Sequence, residues 1–395
     1  MKKLCFVLSF IVLTICIYAN EMIETKNGNF IYGVNVTEFD LDKPIWADIK
    51  SDFKGDTDIY LVEFNPSGEV QKRVLFGGKG EECIVKLLED KEGNIYILGT
   101  AWEETFGSGD FKGLKTNGNR DCFIAKLDSE LKVVKVVNFG TKDYDFAQDF
   151  ILTDTGLCVV GRTFNADNTE LAFIILFDKD LKISSQKEFK GSFSKPGDAA
   201  STSFAAICLS DTGNYVCCGS AATESESDAS IGIVVEYDKK LNIVRKTSIK
   251  DGILSFTLQS IVANEEGYLV SGNANPWEAP VGFFTAFSKT FEIINRCTYA
   301  PSSPSEGEYY VYCYISDIFK TTPIVAVGAA GEYKGNGDYE DDFFHHFYIP
   351  YDKELKTSNV VKLPKGTVVT TNTKNNSLMS VVEGKDKFTL VETKL

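Results

Sequence analysis

The chain has very few of the residues and motifs from which most catalytic and metal centres are built. Of its 395 residues only two are histidine, the adjacent His345 and His346. Neighbouring residues of a strand point to opposite faces of a sheet, so this pair is poorly placed to serve one site. HExxH, Cys-x-x-Cys, Gly-x-Ser-x-Gly and glycine-rich phosphate loops are all absent from the sequence. These absences disfavour a zinc enzyme, a Ser–His–Asp hydrolase and a nucleotide-binding protein.

Proline and positive charge are also scarce. There are 10 prolines and no long Ser-, Pro- or Gln-rich tract, so the composition gives no sign of a disordered linker. The 41 Lys and Arg residues face 56 Asp and Glu residues, which leaves a net charge of −15. An acidic excess of this size disfavours nucleic acid and anionic membrane surfaces as partners. In contrast, 32 Gly, 29 Phe and 17 Tyr favour strands and tight turns.

One long apolar run occurs, at the start of the chain. Leu4–Ala19 follows Lys2 and Lys3 and ends in a small residue, the pattern of a secretory signal peptide. We therefore expect residues 1–19 to be removed and the protein to be exported in a bacterium, to the periplasm, the cell surface or the medium. The segment Leu13–Cys16 resembles a bacterial lipobox, so lipidation of Cys16 is an alternative, and a retained anchor is a third. A lipid anchor would be the only membrane contact that we expect.

Eight cysteines follow residue 19, and nearly all lie in strand-like apolar runs. Buried cysteine behaves as a small apolar residue, and this is the role we expect for most of them. One pair is a candidate disulfide. If Ser210–Asn214 turns on Thr212 and Gly213, Cys208 lies directly opposite Cys217. Such a bond forms only with strain.

A seven-residue sequence recurs almost unchanged. It reads FDKDLKI at Phe177–Ile183, YDKKLNI at Tyr237–Ile243 and YDKELKT at Tyr351–Thr357. An apolar run precedes each copy, and seven such runs recur with a period of roughly 40 to 65 residues. They alternate strictly with a second set of apolar runs, each of which follows a turn such as Asp-Thr-Gly. The first set comprises Asp58–Asn65, Asp121–Asp128, Ala172–Asp178, Ile231–Asp238, Val281–Ser288, His345–Asp352 and Asp386–Thr393.

Each repeating unit contains four short strand patterns, which we call a, b, c and d in chain order. They are rich in β-branched and aromatic residues and have no helical period. Four-stranded units repeated around an axis are typical of a β-propeller. The units resemble those of exported bacterial β-propeller proteins with a D-x-F-h-h-K-h-D … D-G-x-h-h-h-G repeat, where h is apolar. The resemblance covers residues 20–395 and implies the fold but no particular function.

The sequence therefore predicts an all-β fold, a single propeller domain over residues 20–395. Seven blades are expected, with six or eight as alternatives. The seventh lacks its outer strand, so the ring should close by packing of side chains rather than by a shared sheet. The predicted blade starts lie near Met22, Cys83, Phe146, Phe204, Phe256, Tyr309 and Thr367.

Loop lengths predict which side of the ring binds. The a–b and c–d turns are tight, whereas the b–c and d–a connections are long and emerge together on what we call the long-loop face. Long loops on a rigid scaffold usually carry binding residues. All three tryptophans, Trp46, Trp102 and Trp277, fall in b–c connections and are the candidate ligand-binding residues. The alternative is that each indole only packs its own loop.

Three loops combine an acid, an aromatic residue, Lys-Gly and further acids. They are Ser51–Asp58, Gly109–Asp121 and Gly331–Asp342. Calcium requires several carboxylate and carbonyl oxygens on a tight turn, and these loops are its candidate sites. A solvated loop held down by its aromatic residue is the alternative, and we expect no other cofactor. The candidate ligands are Asp52, Asp56, Asp58, Asp338, Glu340, Asp341 and Asp342.

Together these features predict a non-enzymatic binding or scaffold protein outside the cytoplasm. It would be a monomer that uses the long-loop face to bind an envelope or extracellular protein or a glycan. A carbohydrate-active enzyme of the envelope is the alternative, and a calcium-stabilised structural module is a third. The enzyme would require two carboxylates about 5–10 Å apart at the channel mouth.

Overall fold

The computed structural model describes residues 20–46, 49–167, 169–189, 199–223, 230–250, 255–274, 280–299, 309–334, 339–351, 355, 360–363, 367–385 and 387–395. Over these ranges the chain forms β-strands joined by turns, loops and a few short 3₁₀ helices, with no α-helix. None of the helices described has the length and apolar character needed to cross a membrane.

The strands form seven separate antiparallel sheets, each made of strands consecutive in the chain. Blade one contains β1 (Glu21–Glu24), β2 (Phe30–Thr37), β3 (Thr57–Phe64) and β4 (Val70–Phe76). Blade two contains β5 (Glu82–Glu89), β6 (Ile95–Trp102), β7 (Arg120–Leu127) and β8 (Val133–Phe139). Blade three contains β9 (Asp145–Thr153), β10 (Gly156–Phe164), β11 (Glu170–Asp178) and β12 (Ile183–Phe189). Blade four contains β13 (Ala199–Leu209), β14 (Tyr215–Thr223), β15 (Ser230–Tyr237) and β16 (Ile243–Ile249).

The remaining three blades continue the pattern. Blade five contains β17 (Phe256–Ala263), β18 (Gly267–Ala274), β19 (Val281–Ser288) and β20 (Ile293–Tyr299). Blade six contains β21 (Tyr309–Phe319), β22 (Val325–Lys334), β23 (Tyr339–Pro350) and β24 (Val361–Lys362). Blade seven contains β25 (Thr367–Asn372), β26 (Ser377–Glu383) and β27 (Phe388–Lys394). The prediction of a seven-bladed all-β propeller with an incomplete last blade is confirmed.

Strand a of each blade lies innermost, and strands b and c contain most of the buried residues in blades one to five. The first strands of neighbouring blades contact one another around the ring and line a central channel of about 660 Å³. Every residue of β3 is buried, whereas β4, at the outer edge of the same blade, is largely exposed until Phe76. The core therefore consists of apolar layers between successive blades, with the channel on the axis.

The ring closes between blade seven and blade one through side chains. The Tyr32 hydroxyl donates to Glu383 Oε1 at 2.6 Å, and the Thr373 N–H donates to Glu24 Oε2 at 2.6 Å. The Phe388 ring packs edge-on against Tyr32, with centroids 5.7 Å apart. No strand is shared between the two blades among the strands described, as predicted.

The recurring D-K-x-L sequence is a c–d turn with a leucine in a left-handed conformation. In blade four, Asp238 Oδ1 accepts the N–H groups of Lys240 and Asn242, both at 2.8 Å. This holds Leu241 at a φ of 60°, and its side chain is fully buried. The sequence recurs because the aspartate fixes the turn and the leucine closes the core beneath it. The same backbone conformation occurs at Leu131, Leu181, Phe291 and Leu355.

The predicted pairing of Cys208 with Cys217 is wrong by one residue. Cys208 lies opposite Val216, and Cys217 lies opposite Ile207. The two thiols consequently point to opposite faces of the sheet, because side chains alternate along a strand. Both are buried and free. The turn on Ser210–Asn214 is one residue longer than the direct pairing requires.

Candidate functional site on the long-loop face

The b–c connections of blades one and two are long, as the sequence predicts, and cover residues 38–56 and 103–119. The d–a connections at residues 77–81 and 140–144 are short, so the prediction of long d–a connections is wrong for these two. The ends of β6, β7, β9 and β10 that join these connections therefore lie close to the surface of the long-loop face. Side chains placed there are held by strands rather than by loops, which favours a rigid site.

Two arginines alternate with aromatic rings across the junction of blades two and three. The Arg120 guanidinium lies 5.5 Å from the Trp102 ring centroid and 4.8 Å from that of Phe146. The Arg162 guanidinium lies 5.0 Å from the Phe146 centroid. We call Trp102, Arg120, Phe146 and Arg162 the arginine–aromatic row. Attraction between cations and the faces of aromatic rings stabilises such an arrangement.

Polar contacts fix the two arginines in the row. Arg120 is 8% exposed, and its Nη2 donates to Thr100 Oγ1 at 2.8 Å. Arg162 Nε lies 3.9 Å from Glu170 Oε1. The guanidinium groups are thus held as supports for the rings, and we assign the contact surface to the rings themselves.

Tyr144 extends the row into solvent. Its side chain is 39% exposed, and its ring meets Trp102 edge-on with centroids 5.9 Å apart. Trp102 is half-buried, and its indole N–H has no hydrogen-bond acceptor among the residues described. The exposed Tyr144 ring, held in place by Trp102, is an aromatic surface of the kind that stacks on the apolar face of a sugar ring.

Trp46 does not join this surface. Trp46 is 3% exposed, and its ring packs edge-on against Tyr60 at 5.5 Å and Phe388 at 5.3 Å. It therefore forms the core beneath its own loop. Trp277 lies outside the described residues.

The acidic loop residues do not converge as a calcium site would require. Asp52 and Asp56 are exposed, whereas Asp58 is fully buried. Asp341 and Asp342 belong to β23 rather than to a loop, as does Glu340, and Asp338 lies outside the described residues. Over the described ranges, no group of three or more His, Cys, Asp or Glu side chains is arranged to hold a metal ion.

Asp58 instead faces a carboxyl group from the next blade. Asp58 Oδ2 accepts the Lys54 N–H at 2.7 Å, and Glu82 accepts the Gly78 N–H at 3.0 Å and the Thr105 hydroxyl. A Cβ atom on Gly77 would collide with Asp58 Oδ1 and would lie 2.7 Å from Glu82 Oε2. Glycine is thus required where the two carboxyl groups meet.

The protonation of this pair follows from its burial. Burial raises the pKa of Glu82 to about 8 and that of Asp58 to about 6. With both groups ionised, Asp58 Oδ1 has no hydrogen-bond partner in the described structure. A proton held by Glu82 and donated to Asp58 supplies that partner, since two adjacent buried carboxyl groups do not both ionise readily. Sequence reasoning missed Glu82 because its partner is in another blade.

The same arrangement recurs between blades two and three. Asp121 and Asp145 are both buried, and a Cβ atom on Gly140 would lie 2.9 Å from Asp121 Oδ1 and 2.7 Å from Asp145 Oδ2. Burial raises the pKa of Asp145, and the charge of Asp121 adds to the rise. Pairs of buried acids are therefore a structural device of the first three blades.

The hydrolase alternative can be examined at the central channel. Glu21, Asp149 and Asp317 all line it. Both Asp149 oxygens accept hydrogen bonds. Oδ1 accepts from Lys86 Nζ and from the N–H of its C-terminal neighbour Phe150 at 2.8 Å, and Oδ2 accepts from the Ile207 N–H at 2.8 Å. Asp149 is consequently held as a link between blades rather than left free as a base or nucleophile.

No family model and no curated relative matches the sequence. Solved structures match in fold. The chain is similar to Sqt1 from Chaetomium thermophilum, with 10% identity, a TM-score of 0.46 and coverage of 95% of this chain and 83% of that one. A putative 6-phosphogluconolactonase from Bacteroides fragilis matches with 11% identity, a TM-score of 0.43 and coverage of 85% and 89%. A thermostable family-43 glycoside hydrolase matches with 12% identity, a TM-score of 0.38 and coverage of 71% and 93%. At these identities the likeness concerns the fold alone.

Proposed function

We propose that the protein is an exported, non-enzymatic binding protein that holds a glycan against Trp102 and Tyr144 on its long-loop face. The observation that carries this proposal is the exposed Tyr144 ring packed against a half-buried Trp102 that Arg120 supports from one side. Aromatic surfaces of this size contribute strongly to binding because they lose little conformational freedom. A neutral glycan also suits a protein with a net charge of −15 better than an anionic partner does.

Tryptophan fluorescence tests the proposal directly. We expect β-1,4-linked glucose or N-acetylglucosamine oligosaccharides to change the emission saturably in the wild-type protein. Trp102→Phe should abolish the change, and Tyr144→Ala should weaken binding about tenfold. Loss of the emission change without loss of binding by calorimetry would mean that Trp102 reports on the ligand but does not stack on it.

Trp46→Phe is the matched control because Trp46 is buried under its own loop. It should leave both the affinity and the emission change intact. If none of the oligosaccharides binds and a protein from an envelope extract protects Trp102 instead, the partner is a protein and the glycan proposal is wrong.

A hydrolase would release new reducing ends from the same oligosaccharides. The carboxyl groups in the channel are the only observation that favours such an activity, and Asp149 has both oxygens engaged. We therefore expect no release. Turnover that is lost in Glu21→Gln or Asp317→Asn would establish the enzyme instead.

A further inference from the structure

One position on strand a forms a ring at mid-height in the channel. In blades one to six it lies opposite the residue that precedes a glycine of strand b, for example Lys86 opposite Leu98 and Asp149 opposite Val160. In blade seven, Ser380 takes the place of that glycine. The ring combines apolar, polar and charged side chains. In blades one to seven the position is occupied by Met22, Lys86, Asp149, Ala206, Ser260, Asp317 and Thr370.

The charged members of the ring interact across blades. Lys86 of blade two pairs with Asp149 of blade three, and Ser260 Oγ donates to Asp317 Oδ1 at 2.7 Å. Glu21, one residue before the ring, lies close enough to Lys86 and Asp317 for their charges to affect its ionisation. Three carboxyl groups thus lie around the Lys86 ammonium group, and Lys320 is a second lysine that lines the channel.

The ring is accessible from the channel. The Lys86 side chain is 31% exposed, and Asp317 is exposed. Both residues face the channel, which strands from all seven blades enclose. Opposite Ser260, Ser271 is fully buried, and its hydroxyl has no hydrogen-bond partner among the described residues. Directly opposed residues share a face of the sheet, so this unpaired hydroxyl points toward the same junction between blades as the Ser260–Asp317 contact.

We propose that the channel is a binding site for a primary ammonium group, which Glu21 and Asp317 hold beside Lys86. Lys86 is itself an ammonium bound by this cluster, which establishes that its carboxyl groups suit that chemistry. The ion pair of Lys86 is with Asp149, so neither Glu21 nor Asp317 forms an ion pair among the residues described, and Lys320, which also lines the channel, forms none with them. The cavity of about 660 Å³ is large enough for a small amine or for one chain of an amino-group-bearing ligand.

An ammonium group fits the site better than a divalent metal ion does. Calcium prefers six to eight oxygen ligands, and two unpaired carboxyl groups with one serine hydroxyl supply too few. The neighbouring Lys86 charge also repels a divalent ion twice as strongly as a monovalent one. An ammonium needs three acceptors, which Glu21, Asp317 and a water or backbone oxygen provide.

Binding at this site should strengthen as pH rises. Burial raises the pKa of Glu21 to about 8. The charge of Lys86 opposes this rise, whereas the charges of Asp317 and Asp149 add to it. Burial also raises the pKa of Asp317, although the Ser260 hydrogen bond and the Lys86 charge both act to lower it. The ammonium needs the ionised carboxylates, so binding releases protons, and affinity should increase from pH 6 to about 8.

Calorimetry with 1,5-diaminopentane tests the proposal, and 1,5-pentanediol is the matched uncharged probe. Because Asn20 also lines the channel, the protein should carry a neutral tag ahead of that residue, which keeps an α-ammonium out of the site. We expect the diamine to bind with a 1:1 stoichiometry and net proton release at pH 7, and the diol not to bind. Equal binding of both probes, or no heat with the diamine, would overturn the proposal.

Three variants locate the site. Asp317→Asn and Glu21→Gln should each weaken diamine binding about tenfold. Lys86→Met should strengthen it, because a ligand ammonium then takes the place of the lost lysine beside Asp149, and a purely structural cluster would not behave in this way. Asp211→Asn, at an exposed ion pair with Lys289, is the control and should bind as the wild type does. If Lys86→Met binds more weakly than the wild type, the cluster only holds the blades together.

Discussion

At the scale of single residues, the left-handed leucines explain why the sequence repeats one turn. A non-glycine residue in this conformation costs about 1–2 kcal/mol, and the burial of a leucine side chain offsets that cost. In blade one, where the turn reads Asn-Pro-Ser-Gly-Glu, Gly68 occupies the equivalent position with a φ of 80°. The choice between leucine and glycine there is a choice between core contact and an unstrained backbone.

Substitutions at Leu241 should therefore reverse the usual order of alanine and glycine. We expect Leu241→Ala to lower the free energy of unfolding by about 2–4 kcal/mol because a buried side chain is lost. Leu241→Gly should be about 1 kcal/mol less destabilising, since glycine relieves the strain. Urea denaturation measures both. At Leu269, buried in a regularly paired part of β18, glycine should be worse than alanine, and the same order at both sites would contradict the account.

The Asp58–Glu82 pair predicts a dependence of stability on pH. The pKa of Glu82 is about 8 in the folded protein and near 4.5 in the unfolded chain, so the folded state binds more protons between these values. The contribution of this pair to the free energy of unfolding is complete below about pH 4.5 and is lost as pH rises through about 8. We expect the free energy of unfolding to fall less in Glu82→Gln than in the wild type between pH 5 and 9, by on the order of 2 kcal/mol.

The control for this prediction is Glu104→Gln, at an exposed position in the adjoining loop. Its pH profile should follow that of the wild type. Profiles that coincide for all three proteins would mean that Asp58 and Glu82 do not share a proton.

At the scale of elements, the loop between β2 and β3 is a packing element rather than a flexible insertion. Its Trp46 contacts both the neighbouring strand and Phe388 of blade seven. Trp46→Ala should lower the free energy of unfolding by about 3–5 kcal/mol, the range for a buried aromatic residue. Trp102→Ala, at a half-buried position, should cost clearly less. Chemical denaturation compares the two, and equal losses would contradict the different burial of the two indoles.

Much of the arrangement of elements could be predicted from the sequence because it is local. Strands a and b, and strands c and d, are joined by short turns, so the repeat of apolar runs and of D-K-x-L is enough to give the blades and their number. The predictions that depend on the details of a turn or on contacts with a second blade were less accurate than the prediction of the blades. The register at Cys208 shifted by one residue with the length of a single turn, and β23 begins early enough to include Asp341 and Asp342.

The candidate sites could be predicted only in part for the same reason. Trp102 was identified, but Tyr144 and Arg120, which complete its surroundings, carry no signal of their own in the sequence. Lys86 lies in blade two and Asp317 in blade six, so three whole blades separate them along the chain. Their proximity follows from the closure of the propeller and not from any spacing along the chain.

At the scale of the whole molecule, the ring depends on its incomplete blade. Blade seven covers apolar faces of blades one and six, and the Tyr32–Glu383 hydrogen bond crosses the closure. A chain that ends at Leu363 should therefore lose its single cooperative thermal transition and associate, because both faces become exposed. Circular dichroism with light scattering measures this. A cooperatively folding monomer would contradict the dependence on blade seven.

The distribution of thiols and turns has a practical consequence. Of the eight cysteines described, seven are buried and one is half-buried. The c–d turns lie on the side of the ring opposite Trp102 and Tyr144. Lys240 is exposed in such a turn, and only its backbone N–H takes part in the hydrogen bonds that hold it. A cysteine introduced there would be exposed, whereas each of the eight native thiols described is buried or half-buried. It would couple the protein to a sensor surface in one orientation, with every long loop facing the solution.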